Sequence, residues 1–105
     1  MALTQLDEQE RQVVLDCLRA AVDGPFFPEW EFHTLFGLTR QEVKQITNTW
    51  PEIDDSNEEA ALAINNAMSN LLHYPHRQEE AWRTFISVTP REVERVFQKW
   101  RHSKS

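Results

Sequence analysis

The sequence predicts an all-α fold, a six-helix orthogonal bundle built from two pseudo-symmetric three-helix halves. Only two glycines and five prolines occur among the 105 residues, which leaves little room for long loops. Apolar residues recur at three- and four-residue spacing, as on one face of an amphipathic helix. The same pattern returns after a shift of 50 residues. The length fits a single domain, residues 1–105, with an internal repeat of 1–50 and 51–105.

The first helix is predicted over residues 7–22. Asp7 and Glu10 have the spacing of a capping box, in which each side chain accepts a hydrogen bond from the other residue's backbone. Gly24, in a left-handed conformation, and the proline after it are expected to end the helix. The predicted buried stripe consists of Val14, Cys17, Leu18, Ala21 and Val22.

Two shorter helices complete the first half. One is predicted from about Pro28 to Phe36, where Gly37 ends it. Thr39 and Glu42 then form a second capping box and begin the third helix. The buried stripe of that helix is expected to consist of Val43, Ile46 and Trp50.

The second half repeats this plan without a gap. Ser56 is expected to cap the fourth helix, and Thr89 is expected to cap the last one. Eight of 55 aligned pairs are identical at the 50-residue shift. Because caps, stops and apolar stripes have separate physical causes, their agreement favours an internal duplication. The repeated stripes are Ile64, Ala67, Met68, Leu71 and Leu72, and then Val93, Val96 and Trp100.

The stretch from Phe32 to Ile46 has a turn glycine at Gly37, then Leu38, and apolar residues that face the preceding helix. On these residues it resembles a helix-turn-helix unit, and the second half carries a more degenerate copy. His33 and Arg83 stand where that family has a small residue. The resemblance implies that the third and sixth helices would enter a major groove of DNA.

The nucleic-acid contacts that this resemblance implies lie on the outer faces of those two helices. Arginine and lysine contact phosphates or guanine, and glutamine can pair with adenine. The same residues are equally typical of a solvated helix face, where cations near the C-terminus favour the helix dipole. The candidate residues are Gln41, Gln45, Arg91, Arg95, Lys99 and Arg101.

Charge is divided unevenly along the chain. The net charge is −6. Residues 1–55 hold 4 Lys/Arg against 11 Asp/Glu, a net of −7, and residues 56–105 hold 7 against 6, a net of +1. The acidic total opposes strong non-specific attraction to nucleic acid, although a local basic patch acts over a Debye length.

The aromatic segment around Phe26, Phe27 and Trp30 is the most unusual stretch, because the matching positions of the second half are polar or charged. A scaffold shared by both halves does not explain rings present in one half alone. Two interpretations stay open. Either the rings pack between the halves, or they form an exposed patch for a protein partner or for a second copy of the chain.

No metal site, cofactor site or catalytic residue is predicted. His73 and His76 with Glu79 or Glu80 come closest to a metal site, but a proline interrupts their spacing in a loop. Cys17 lies on the buried stripe and is interpreted as a core residue. Glycine-rich phosphate loops and nucleophile elbows do not occur. The acidic pair Asp54 and Asp55 is interpreted as linker and helix N-terminal charge.

The function expected from the sequence is a non-enzymatic interaction or regulatory module. It would bind a protein partner or itself through Phe26, Phe27 and Trp30, without a cofactor and without a membrane. The alternative is a helix-turn-helix regulator that binds nucleic acid through the basic face of the last helix. A cytoplasmic location is expected, since residues 1–12 lack the features of an export signal.

Overall fold

The computed structural model describes residues 2–104, and all regular structure in that range is helical. The all-α class is therefore confirmed. None of the helices in this range combines the length and apolar character needed to cross a bilayer. A short 3-10 helix, Ala2–Gln5, precedes α1 (Glu8–Asp23), α2 (Glu29–Phe36), α3 (Arg40–Thr47), α4 (Glu58–His73), α5 (Glu79–Phe85) and α6 (Pro90–Lys104).

Helix α1 begins with the predicted capping box. The Asp7 carboxylate accepts from the Glu10 amide at 2.8 Å, and the Glu10 carboxylate accepts from the Asp7 amide at 2.9 Å. The whole predicted stripe of α1 is buried. Gly24 ends the helix in an extended conformation (φ −86°), so the predicted left-handed cap is wrong. Glycine is needed there because a Cβ would lie 2.7 Å from the Phe26 ring.

The turn between α2 and α3 follows the prediction, but the end of α3 does not. Gly37 adopts the left-handed conformation (φ +71°) that glycine tolerates best. Thr39 and Glu42 form the second capping box. Helix α3 then ends at Thr47, so Trp50 lies in the following turn and is only partly buried.

The cap of α4 is one residue later than predicted. The Asn57 side chain, not that of Ser56, accepts from the Ala60 amide at 3.1 Å. The Asp54 carboxylate accepts from both the amide and the hydroxyl of Ser56, at 3.0 and 2.6 Å, and thus holds Ser56 outside the helix. The predicted cap of α6 is confirmed, since the Thr89 hydroxyl accepts from the first-turn amide of Glu92 at 3.3 Å.

The helices of the second half begin at regular intervals from those of the first. Helices α4, α5 and α6 begin fifty residues after α1, α2 and α3, respectively. An internal repeat requires this spacing, and it also requires that the three helices of each half have the same arrangement in space. The repeat therefore stays a prediction. Positions fifty residues apart nevertheless supply a useful comparison between the halves.

Both halves contribute to one core. Helix α1 packs on α3, α4, α5 and α6, while α4 also packs on α2 and α3. The buried side chains form a single cluster. The radius of gyration, 12.4 Å, is close to the value of about 13 Å expected for a compact chain of this length.

Asp55 corrects the interpretation of the acidic linker. Its side chain is fully buried, and one carboxylate oxygen accepts from the Leu3 amide and from the Trp100 indole, both at 2.9 Å. Asp55 therefore ties the 3-10 helix to α6. The sequence alone shows only an acidic pair, because nothing local to it indicates partners 52 and 45 residues away.

Candidate functional site

Two rings of the predicted partner patch are buried between the halves. Phe26 and Phe27 are 1% and 3% exposed. The Phe26 ring contacts His76 edge-on, with centroids 4.9 Å apart, and the Phe27 ring lies 5.6 Å from Tyr74. The expectation that these rings form an exposed patch needs correction, because burial removes their large apolar surfaces from water.

Trp30 is the one residue of that patch on the surface. It is 80% exposed, whereas the other exposed large apolar side chain among the described residues, Leu62, is 37% exposed. Glutamates stand on both sides of it. Glu29 pairs with Arg40, and Glu31 accepts a hydrogen bond from the Tyr74 hydroxyl, which raises the pKa of that tyrosine.

A groove of about 770 Å³ opens where the end of α4, helix α5 and the start of α6 meet. We call it the Trp82 groove. Arg77, Glu79 and Arg83 supply charged groups to its lining. Its apolar lining includes Leu71, Leu72, Trp82, Ile86, Val88 and Pro90. The sequence did not predict this site, because its side chains come from four separate segments.

The Phe27 ring packs against the rings of α2 in the first half, and the residues fifty positions later line the groove. The Phe27 ring lies 5.3 Å from the Phe36 ring and 6.4 Å from the Phe32 ring, centroid to centroid. The residues fifty positions later are Arg77, Ile86 and Trp82, and all three line the groove. A buried ring in one half is thus matched by an exposed arginine in the other.

Arg40 is the second residue whose side chain covers the rings of α2 in the first half. Its guanidinium lies 4.5 Å from the centroid of the Phe32 ring. It donates to the backbone oxygens of Ala21, Val22 and Phe27 at 3.0, 2.9 and 2.8 Å. Pro90, fifty positions later, has no side-chain donor and lines the groove. One signal could have identified Arg40, since a cation is unfavourable in the first turn of a helix unless it bonds elsewhere.

The backbone also differs between the halves around the groove. Helix α2 packs on α3 and α4, whereas α5 packs mainly on α1. The residue that ends α5, Ile86, is extended (φ −123°) where α2 ends at a left-handed glycine. Arg77 has φ +56°, a conformation rare for non-glycine residues. The Trp82 indole donates to the Val88 oxygen at 2.7 Å and thereby fixes the floor of the groove.

The basic face of α6 is largely engaged within the molecule. Arg95 pairs with Glu10 at 2.9 Å and with Glu92 at 2.6 Å, and Lys99 pairs with Glu10 at 2.8 Å. The Glu10 carboxyl is buried. Its pKa is lowered to about 2, mainly by the hydrogen bond from Lys99, with help from the Asp7 amide and Arg95. Two of the predicted phosphate contacts therefore stabilise a buried carboxylate.

The other predicted nucleic-acid contacts lie on α3 and on α6. Gln41, Gln45 and Arg91 are exposed, and the Arg101 guanidinium lies 5.3 Å from the Phe97 ring centroid. Helix α3 packs on α1, α2 and α4, while α6 packs on α1, α4 and the 3-10 helix. The two predicted reading helices thus share α1 and α4 as neighbours and differ only in the third element that each contacts.

The groove holds no evident reactive group. His76 accepts from the Gln78 amide at its Nδ1 atom (3.0 Å) and donates from Nε2 to the Leu71 oxygen (3.1 Å), so both ring nitrogens are engaged. No three metal-ligating side chains come together within residues 2–104. Cys17 is completely buried, as predicted for a core residue, and burial raises the pKa of its thiol.

The Trp82 groove and the exposed Trp30 are the two surface features that are candidates for binding, although the groove residues Leu71, Trp82 and Ile86 also belong to the core. Both lie in or beside the segment that follows the first helix of each half. In comparisons with protein-family models, with curated proteins and with solved structures, the chain matches none of them.

Proposed function

We propose that this protein is a non-enzymatic, cytoplasmic interaction module that binds a segment of a partner polypeptide in the Trp82 groove. The observation that carries this proposal is a groove of about 770 Å³ with a largely apolar lining, which includes Arg77, Trp82 and Ile86. Ligand sites in proteins are typically clefts of about 300–1,000 Å³ lined by apolar and aromatic groups.

The groove favours an aromatic side chain of the partner. In the first half, the Phe27 ring lies edge-on to Phe32 and Phe36, and the predicted repeat supports a similar ring against the residues fifty positions later. Trp82 and Ile86 occupy the matching floor positions. Aromatic pairs in such an edge-to-face arrangement contribute about 0.5–1.5 kcal/mol beyond the burial of their area.

The charges around the groove favour carboxylates beside that ring. Arg77 and Arg83 are exposed and belong to the lining, against the single carboxylate of Glu79. This is a local positive excess on a chain of net charge −6. Complementary charges at the edge of an interface increase the rate of association and select the partner.

The alternative function, a helix-turn-helix regulator that binds nucleic acid, has less support. Arg95 and Lys99 would have to leave the buried Glu10 carboxylate in order to contact phosphates. An unpaired buried charge is strongly unfavourable. The left-handed turn at Gly37 fits a helix-turn-helix, but Gln41 and Gln45 beside it carry no charge for phosphate binding.

A titration followed by NMR tests the proposed function. The ¹⁵N-labelled protein is titrated with a short capped peptide that has one tryptophan between two glutamates. We expect the indole N–H resonance of Trp82 to shift, because that group lies in the groove and donates to Val88. The Trp100 indole is the internal control, since it is buried against Asp55 and should not shift.

A peptide with alanine in place of the tryptophan is the matched ligand control. Equal shifts with both peptides, or no shift at Trp82, would contradict the proposal. Fluorescence anisotropy with random duplex DNA at low and moderate salt tests the alternative in parallel. DNA binding that weakens steeply with salt, together with an unperturbed Trp82, would favour the nucleic-acid regulator.

A further inference from the structure

Trp30 has no role in the core of its own molecule. Its side chain lies in the first turn of α2 and is 80% exposed, and the residue fifty positions later is the exposed Glu80. A tryptophan is rarely so exposed in a protein, because its large apolar surface is unfavourable in water. Such a residue at a surface is typical of a contact anchor.

The tryptophan does not reach the Trp82 groove of its own chain. Tyr74, which belongs to the groove lining, donates to Glu31, so the start of α2 lies close to one end of the groove. Trp30 is nevertheless in solvent, which shows that it does not occupy the groove from inside the same molecule. The only Trp30 that can enter is that of another copy.

We infer that the occupant of the Trp82 groove is a second copy of this chain, which inserts Trp30 as the aromatic anchor. This inference rests on the proposed function of the groove. In the contact, the Trp30 indole of one copy lies in the Trp82 groove of the other. Its flanking glutamates, Glu29 and Glu31, face the arginines of the groove edge.

The charges of the two surfaces support this pairing. The Trp30 side of the contact belongs to the half with a net charge of −7, and the groove belongs to the half with +1. Glu31 accepts a hydrogen bond from Tyr74 and Glu29 pairs with Arg40 of the same molecule, but the Glu29 side chain remains 78% exposed and can still act on a nearby cation. Arg77 and Arg83 are exposed at the groove, so two cations meet an acidic segment.

The association is expected to be weak and to depend on concentration. One tryptophan buries about 150–250 Å², far below the roughly 1,200 Å² of a stable interface. The two surfaces are different patches of the same molecule. The contact therefore either forms twice in a symmetric dimer or continues from copy to copy.

Sedimentation velocity of the full chain at low salt tests the inference over a wide range of concentrations. The wild type is expected to rise above its monomer mass of 12.4 kDa as concentration increases. Trp30→Ala should weaken the association by at least about tenfold, the effect of losing an interface anchor. Leu62→Ala removes the other exposed large apolar side chain and should behave as the wild type.

A mixing experiment separates the two sides of the contact. The double variant Arg77→Glu/Arg83→Glu keeps Trp30 but should repel the acidic segment, while Trp30→Ala keeps the groove. Each variant alone should remain monomeric at concentrations where the wild type associates. Their equimolar mixture should form heterodimers, because one intact tryptophan meets one intact groove. All the altered side chains are exposed, and circular dichroism checks the fold.

Three outcomes would overturn the inference. They are a wild type that stays monomeric throughout, an equal loss in Trp30→Ala and Leu62→Ala, and a mixture that stays monomeric although the wild type associates. A monomeric wild type whose Trp82 resonance still shifts with the tryptophan peptide would remove only the second copy as occupant. If the peptide has no effect and the wild type stays monomeric, the proposed function fails as well.

Discussion

The segments after α1 and after α4 have similar helix plans but opposite surfaces. After α1, Phe27 and Arg40 cover the rings of α2, so that the first half is closed. After α4, Arg77 and Pro90 stand at the matching positions, and a groove of about 770 Å³ remains. Side chains, backbone conformation and helix packing therefore all differ between the half that is closed here and the half that has a groove.

The difference also explains where stability and binding are expected to reside. Buried rings and a hydrogen-bonded guanidinium contribute to folding, whereas the exposed groups at the groove edge, such as Arg77 and Arg83, contribute little until the groove is occupied. Substitutions that close the first half should thus be tolerated poorly, and substitutions at the groove edge should be tolerated well. Measurements of the free energy of unfolding can contradict this expected difference between the halves.

The largest effect is expected for Phe27→Ala. Truncation of a buried phenylalanine removes its apolar contacts and leaves a cavity, and such changes lower the free energy of unfolding by about 3–5 kcal/mol. Phe27 is 3% exposed and contacts rings of both halves. Urea unfolding measures the loss, with Arg77→Ala as the matched control, expected within about 0.5 kcal/mol of the wild type. Similar losses in both variants would contradict the comparison.

Arg40→Met should have the next largest effect. The methionine keeps much of the apolar stem but leaves three backbone oxygens without the guanidinium. Hydrogen bonds to a charged group contribute about 1.5–3 kcal/mol, and we expect a loss in that range. Lys44→Met, on the exposed face of the same helix, is the control and should change stability by less than about 0.5 kcal/mol. If Arg40→Met leaves the free energy of unfolding unchanged, the guanidinium does not stabilise the packing of the first half.

Local signals in the sequence predicted the helices and most of their caps. The capping boxes at Asp7 and Thr39 and the end of α2 at Gly37 depend on residues within a few positions, and the structure confirms them. Ser56 misled the prediction because Asp54, two residues before it, competes for its amide and hydroxyl. Such short-range competition is difficult to rank from residue types alone.

Contacts between distant segments could not be predicted in this way. Phe26 and Phe27 were correctly recognised as unusual, but only the arrangement of α4 and α5 decides that they are buried. Glu10 reads as a capping residue, and the sequence gives no sign that Arg95 and Lys99 also bind it. The groove is lined by Arg77 and Pro90, whereas Phe27 and Arg40 stand fifty positions earlier and contact rings of α2. A contact that does not form leaves no pattern in a single sequence.

Glu10 in the first half forms ion pairs with Arg95 and Lys99 in the second half. The residue fifty positions after Glu10 is Ala60, which cannot form the reciprocal pairs. The pKa of Glu10 is about 2 in the folded protein, against 4.5 ordinarily. A lowered folded pKa gives stability that is present above pH 4.5 and is lost as the pH falls toward 2. The loss should be on the order of 1–2 kcal/mol, since water screens the half-exposed Arg95 and Lys99.

Glu10→Gln should remove most of that pH dependence between pH 4.5 and 2. Thermal unfolding across this pH range measures it, and Glu58→Gln, at an exposed first-turn position of α4, serves as the control. The control should retain the wild-type slope. If both variants have the same slope as the wild type, the Lys99 and Arg95 pairs do not hold the Glu10 pKa down, and the cations of α6 would be available for other contacts.

The smallest expected effect concerns the backbone at Arg77, where the second half departs from the first. Its φ of +56° is unfavourable for a side chain with a Cβ, so Arg77→Gly should raise the free energy of unfolding by about 0.5–1 kcal/mol. Arg83→Gly, in the exposed part of α5, should lower it by about 1 kcal/mol, as glycine does within a helix. Urea unfolding of the two variants measures both the expected gain and the expected loss in the free energy of unfolding. A loss at both positions would mean that the backbone at residue 77 is not left-handed, and the halves would then differ in backbone only at the ends of α2 and α5 and in the packing of those helices.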